Sequence, residues 1–282
     1  MSLAHTPGPA FQFAADNLTG TPSATGLAGT AFAYGGSNAD GSAVGVLGAL
    51  DQDACYLVVG FAGGASTGED GSSLVDILID PAGGTSWASL VDDLAAGCSP
   101  TQSATVPAMC WYHLPLYIPA GATLGVQGRR NGATASSGRC IVQVFGAPSR
   151  PDQWWCGQGV EGIGINAASS KGTSHTPGST GVYSAYATVG TSAKRHGAIQ
   201  FTVNGADNNM LARGYYWQIG ISGAQAPGTP TYYHTSSGAE VITRTGHAGP
   251  IFCDFPEGTT YQTRATCNGT SEAHDVAIYG VY

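Results

Sequence analysis

IPAGATLGVQGRRNG, residues 118–132, returns in altered form as FPEGTTYQTRATCNG, residues 255–269. Both segments open on Pro-x-Gly, run into an alternating stretch and close on Asn-Gly, and Pro119 and Pro256 stand 137 residues apart. Proline fixes φ near about −65° at the second position of a tight turn and glycine suits the fourth. Pro119 with Gly121, and Pro256 with Gly258, are therefore expected to be structural turns. Asn131-Gly132 and Asn268-Gly269 tolerate the positive φ of a hairpin reversal. Each unit then closes on a strand ending in aromatic-Gly: Val142, Val144, Phe145 and Gly146 in one, Val276, Ile278, Tyr279 and Gly280 in the other.

A weaker likeness extends upstream. LVDILIDPAG (74–83) aligns with AIQFTVNGAD (198–207), and GSNADGSAVGVLGAL (36–50) with GTSHTPGSTGVYSAY (172–186). The sequence is thus expected to hold two tandem, jelly-roll-like antiparallel β-sandwich domains related by internal duplication. They span residues 36–150 and 151–282, behind an extended N-terminal arm at 1–35. The arm is rich in small and turn-forming residues and is expected to order against a neighbouring subunit. Its deletion should then weaken assembly without unfolding the sandwiches. Trp154 and Trp155, in the break between the domains, pack either at their junction or in the second core.

The remaining apolar runs are short, β-branched or aromatic, and bounded by Gly, Pro, Asn or Ser, as in an all-β protein. SWASLVDDLAAG (86–97) is the exception, because Leu90, Val91 and Leu94 follow helical spacing between a capping serine and a terminating glycine. Only 10% of the 282 residues are charged, 42% are hydrophobic, and 13 Tyr, 8 Phe and 5 Trp exclude a disordered chain. Net charge is −8 and basic residues pair only at Arg129-Arg130 and Lys194-Arg195, which disfavours nucleic acid. Neither a signal peptide nor an apolar run of membrane-spanning length is visible, so a soluble, unprocessed cytosolic product without membrane insertion is expected.

Catalytic patterns are missing. The histidines lack a His-Glu-x-x-His spacing, and neither a Gly-x-Ser-x-Gly elbow nor a phosphate loop occurs. Acidic residues gather in the first copy (Glu69, Asp70, Asp76, Asp80, Asp92, Asp93). In the upstream alignment, however, Gln200 and Asn204 replace Asp76 and Asp80, so no acid pair is common to both units. No enzyme activity, metal or cofactor is expected. Cys55, Cys98, Cys110, Cys140, Cys156, Cys253 and Cys267 are too widely spaced for a zinc ribbon; they are buried thiols or disulfide partners formed after release from the cell. Trp154, Trp155, Tyr216, Tyr232 and Tyr233 are candidate interface aromatics, or a platform for sugar rings.

The segments LYIPAGATLGVQGRRNGATASSGRCIVQVFG and IFCDFPEGTTYQTRATCNGTSEAHDVAIYGV resemble modules of tailed-bacteriophage virion proteins. The resemblance implies capsid decoration, collar, tail or fibre accessory proteins, and carries over no catalytic residue. It implies a virion component assembled in the host cytoplasm. Its partners would be other copies of itself in a trimer or ring and other virion proteins. A host-surface glycan is the alternative partner, for a receptor-recognition module.

Overall fold

The structure, a computed structural model, describes residues 12–17, 29–63, 72–97, 110–130, 136–146, 155–165, 172–205, 213–229, 231–236, 246–269 and 272–282. It is all-β, with two jelly-roll-like sandwiches in tandem and no helix among the described residues. The first lobe comprises β1 (Gln12–Asp16), β2 (Thr30–Gly35), β3 (Val44–Leu47), β4 (Ala54–Gly63), β5 (Ser72–Asp80), β6 (Ala88–Gly97), β7 (Cys110–Leu114), β8 (Thr123–Arg130) and β9 (Ser136–Gly146). The second comprises β10 (Val160–Ile163), β11 (Thr173–His175), β12 (Ala187–Thr191), β13 (His196–Gly205), β14 (Arg213–Ile221), β15 (Ala224–Gln225), β16 (Tyr232–Ser236), β17 (Gly246–Phe255), β18 (Thr260–Cys267) and β19 (His274–Val281). No sheet mixes strands of the two lobes.

Strand pairing is the same in both. β8 lies between β3 and β5, as β18 lies between β12 and β14, and both β3 and β12 carry a register shift. In the other layer β9 pairs with β1, β2 and β4, and β4 with the edge strand β7. Likewise β19 pairs with β10, β11 and β13, and β13 with β17. In lobe one β2 also touches β8 in parallel, at Tyr34 and Gly35, so its two layers join into one folded-over sheet. This pairing corrects the upstream alignment. LVDILID is β5, whose counterpart is β14, whereas AIQFTVN is β13, the counterpart of β4. Short apolar strands resemble one another too closely for sequence to separate them.

Each lobe buries the inward face of its strands. Leu57, Val59, Val126, Val142 and Val144 are among the buried residues of the first core. Ile199, Phe201, Tyr215, Trp217 and Ile278 hold the same place in the second. Part of the expected arm belongs to the first core, since Phe32 and Tyr34 on β2 are only 3% and 2% exposed. Deleting residues 1–35 would remove two strands and both rings, so unfolding of lobe one replaces the assembly defect expected from sequence.

The Pro-x-Gly turns are built alike, one position out of the expected register. Ala122 N–H donates to Pro119 O and Thr259 N–H to Pro256 O, both at 3.2 Å, so each proline is the first residue and each glycine the third. Gly121 and Gly258 have φ of 82° and 81°, which defines type II turns. Each turn is pinned to the loop after the first strand of its layer: Gly121 N–H bonds Leu50 O at 2.8 Å, and Gly258 N–H bonds Ser192 O at 3.0 Å. An added Cβ would meet nothing within 4 Å at either glycine. Gly121→Ala and Gly258→Ala should therefore each lose about 1–2 kcal/mol from backbone strain alone. Urea midpoints unchanged from wild type would contradict the positive φ.

Asn268-Gly269 does not make a hairpin, because β18 and β19 lie in different sheets. Neither Asn268 nor Gly269 has positive φ. Asn268 instead pairs with Gly214 through both its backbone N–H and its side-chain oxygen, at 3.2 Å each. A Cβ at Gly269 would lie 2.5 Å from Arg213 Nε, near the end of a flexible side chain that can move aside. Asn131 and Gly132 fall outside the described residues.

The helix expected at 86–97 is strand β6. Asp93 has φ 58°, and pairing with β5 slips around it, from Val75 with Leu94 to Ile77 with Val91. Such a bulge inserts extra residues between inward positions, so Val91 and Leu94 both reach the core at a helix-like interval of three.

Candidate assembly surfaces

β6 and β7 are the edge strands of lobe one's two layers, and the outer face of β10, β19 and β13 closes the gap between them. Tyr279 enters this gap. Its hydroxyl donates to Asp93 O and accepts from Ala95 N–H, both at 2.8 Å. Its ring meets Tyr112 edge-on with centroids 5.3 Å apart, and the Tyr112 hydroxyl donates to Ala95 O at 2.6 Å. Nearby, Gln200 Nε2 donates to Trp111 O at 3.1 Å and Gln200 Oε1 accepts from His113 N–H at 2.9 Å. A side-chain amide thus pairs with the outward edge of β7 where another strand would otherwise pair. Ala198, Ala277, Tyr279 and Val281 of lobe two join the core cluster of lobe one.

The Asp93 carbonyl is aimed by Asp76. Asp76 Oδ1 accepts from Asp93 N–H at 2.8 Å, holding the left-handed bulge, while Gln127 Nε2 donates to Asp76 Oδ2 at 3.1 Å. Burial pushes the Asp76 and Asp93 carboxyls above the ordinary range, against the hydrogen bonds to Asp76 and the Arg129 charge beside Asp93. In lobe two the matching bond runs from Arg264 Nε to Gln218 Oε1 at 2.8 Å. Asp80 accepts from the backbone of Ala82 and Ser86, so it shapes a turn. Asp76 and Asp80 thus accept from backbone amides, whereas Asp92 accepts from the Ser89 hydroxyl and the Asp93 carboxylate pairs with Arg129; Glu69 and Asp70 lie outside the described residues.

Lobe two has an equivalent gap between β17 and the β14–β16 edge. A cleft of ≈ 450 Å³ opens there, lined by Ile221, Pro227, Cys253, Phe255 and Thr259 among others. It adjoins a second of ≈ 520 Å³ beside Trp155, Phe252 and Tyr282. Phe252 is 51% exposed. The Arg195 guanidinium grips the Asp254 carboxylate through two bonds of 2.7 Å on the rim, and Lys194 Nζ stands 5.5 Å from the Tyr282 ring.

Behind this cleft His196 is fully buried between Glu161 Oε2 at 2.9 Å and the Tyr261 hydroxyl at 2.8 Å. With the imidazole neutral, Nε2–H donates to the carboxylate and Nδ1 accepts the phenol proton. Burial lowers the His196 pKa and Glu161 opposes that shift. The arrangement resembles a proton relay, with no activated nucleophile beside it among the described residues. Cys253 contacts the His196 carbonyl oxygen at 3.6 Å, and burial raises its thiol to about 11. A thiol protonated at neutral pH is a poor nucleophile.

The candidate aromatics separate. Trp155, 41% exposed, lies on Gly197, where a Cβ would come within 2.4 Å of the indole. Tyr216, 50% exposed, stands on the outer face of β14. Tyr232 packs instead against the second core, its ring centroid 5.6 Å from that of Phe201. Trp154 and the Tyr233 side chain lie outside the described residues. No single sugar platform forms from the described members of this set. Cys55, Cys140 and Cys267 are buried and Cys156 and Cys253 partly buried, all five as free thiols in this structure. Cys55 lies near Cys156, and burial raises the Cys55 thiol to about 11. Cys98 and the Cys110 side chain are outside the described residues.

Sequence reasoning missed Gln200 and Asp93 as contact residues and Phe252 as an exposed ring. A signal existed for Phe252: Ile251, Phe252, Cys253 and Phe255 make β17 apolar on both faces, unusual for an edge strand. No group of metal-ligating side chains occurs among the described residues, nor does any helix there have the length and apolarity to cross a membrane.

The sequence matches no protein-family model, and no curated protein matches it. Among solved structures, the chain is similar to the STIV MCP, at TM-score 0.35 and 9% identity over 89% of this chain and 93% of that one. It is also similar to the VP2 subviral particle protein of infectious bursal disease virus, at TM-score 0.24 and 9% identity over 94% and 75% of the two chains. Allantoicase from Saccharomyces cerevisiae follows, at TM-score 0.26 and 9% identity over 82% and 75%. These likenesses are too distant to transfer a function.

Proposed function

We propose that this chain is a non-enzymatic structural building block of a virus particle, specifically a capsid-decoration, collar, tail or fibre accessory protein of a tailed phage. It acts through contacts between copies of itself and with other virion proteins. One observation carries the reading: two duplicated sandwiches are locked into a single block by a buried, hydrogen-bonded seam. The block presents short side chains and few charges, so its faces can be fixed against neighbours at low loss of side-chain entropy. Cryo-electron microscopy of the source particle should place the two-lobed density at regular positions in fixed stoichiometry. Particles that lack it would end this reading.

The alternative is a glycan-binding module. It draws on the exposed Tyr216 and on Arg264, whose guanidinium lies 4.8 Å and 4.6 Å from the Tyr183 and Tyr186 ring centroids on the same layer. In that case a glycan array gives saturable binding that Tyr216→Ala removes; no array signal eliminates it.

A further inference from the structure

We propose that copies of this chain join head to tail by repeating the contact that joins their own lobes. The outer face of β1, β9 and β4 in one copy closes the open side of lobe two in the next. The inference rests on the building-block reading above and names its contact.

The duplication supplies the correspondence. Gln200 stands opposite Tyr279 on the face that lobe two turns to lobe one, and Tyr56 stands opposite Phe145 at the matching positions of lobe one. In lobe two that face is sealed, with Ala198, Ala277, Tyr279 and Val281 at most 1% exposed. In lobe one it is partly open, yet it carries Tyr56 and Phe145 in edge-on contact at 6.2 Å, with His113 beside Tyr56 at 6.2 Å. Alternation would put polar residues on a solvent-facing sheet surface; rings there suit a surface that becomes covered.

The receiving side has the complementary defect. In lobe one the gap is filled, and Tyr112, Leu94 and Ala96 are at most 1% exposed. In lobe two Ile221, Tyr232, Ile251 and Cys253 pack against the core but remain partly open. Among the described residues β17 pairs with β13 alone, as β7 pairs with β4 alone, and in lobe one Gln200 serves the remaining edge. A core left unsealed at the position where its duplicate is sealed by a sandwich face points to the same kind of occupant. A second copy carries that face.

Such a contact uses two different surfaces, so it cannot saturate in a dimer and produces a ring or a filament according to its rotation. The test compares wild type with F145E and I221E by mass photometry and analytical ultracentrifugation. Wild type should form species larger than a dimer, and each variant alone should be monomeric at the wild-type melting midpoint. An equimolar mixture should give a heterodimer and nothing larger. I221E still offers an intact lobe-one face, and F145E an intact lobe-two side. If a variant loses its melting transition, Tyr56→Glu replaces F145E and Cys253→Glu replaces I221E. Wild-type oligomers that both variants preserve, or well-folded variants that stay monomeric when mixed, overturn this contact and leave the building-block reading standing. A wild type that stops at a dimer also overturns it. If the density is also missing from source particles, both readings fall.

Discussion

Tyr279→Ala should destabilise the protein by about 3–5 kcal/mol, the range for removing a fully buried aromatic ring. The ring is 0% exposed and its hydroxyl occupies two backbone groups of the other lobe. Tyr279→Phe keeps the ring and isolates the effect of the hydroxyl. It leaves Ala95 N–H and Asp93 O without that partner, at about 1–3 kcal/mol for each buried group. The two variants should also differ in cooperativity. The alanine variant, lacking the plug between β6 and β7, should melt in two calorimetric steps as the lobes uncouple, while the phenylalanine variant keeps one. A single unshifted transition in both would show that the seam does not couple the lobes.

Acid should loosen the second lobe more than the first. His175 is 5% exposed, with Nε2 at 2.9 Å from Ser184 Oγ and its ring 5.4 Å from Trp217, and burial lowers its pKa from 6.5 to about 4. His196 is lowered as well. An unfolded histidine takes up its proton near pH 6.5, so the contribution of these rings is complete above that pH. It is lost as pH falls from about 6.5 towards 4, by about 3 kcal/mol for His175 alone. In lobe one burial lowers the His113 pKa too, but Asp76 and Asp93 have raised pKa values, so their protonation on further acidification relieves a burial penalty and offsets part of that loss. Hydrogen exchange at pH 7 and pH 4.5 should show protection lost first around β13, β14 and β19, and His175→Gln should flatten the urea midpoint against pH. Uniform loss across both lobes would contradict this asymmetry.

The duplication was legible because its markers are local: a type II turn needs a glycine at one position and an aromatic-Gly pair ends each closing strand. What escaped depends on partners far away in sequence. β6 imitates a helix because Asp76 props a bulge at Asp93, a contact across 17 residues. Asn268-Gly269 imitates a hairpin because strand order is not written in either flanking strand; β18 and β19 belong to different sheets. The seam was hardest to read. Gln200 and Tyr279 look like ordinary alternating residues until β7 lies beside them, and Phe252 was visible only as one apolar residue too many on an edge strand.

The amide of Gln200 and the ring of Tyr279 have one more consequence, for truncation. Produced alone, the amino-terminal half would display a naked β7 margin and an uncapped greasy slot. Template-like stacking of unfinished chains would follow. Until β19 is synthesised, the nascent polypeptide carries that hazard, so folding yield should depend on β19 arriving quickly.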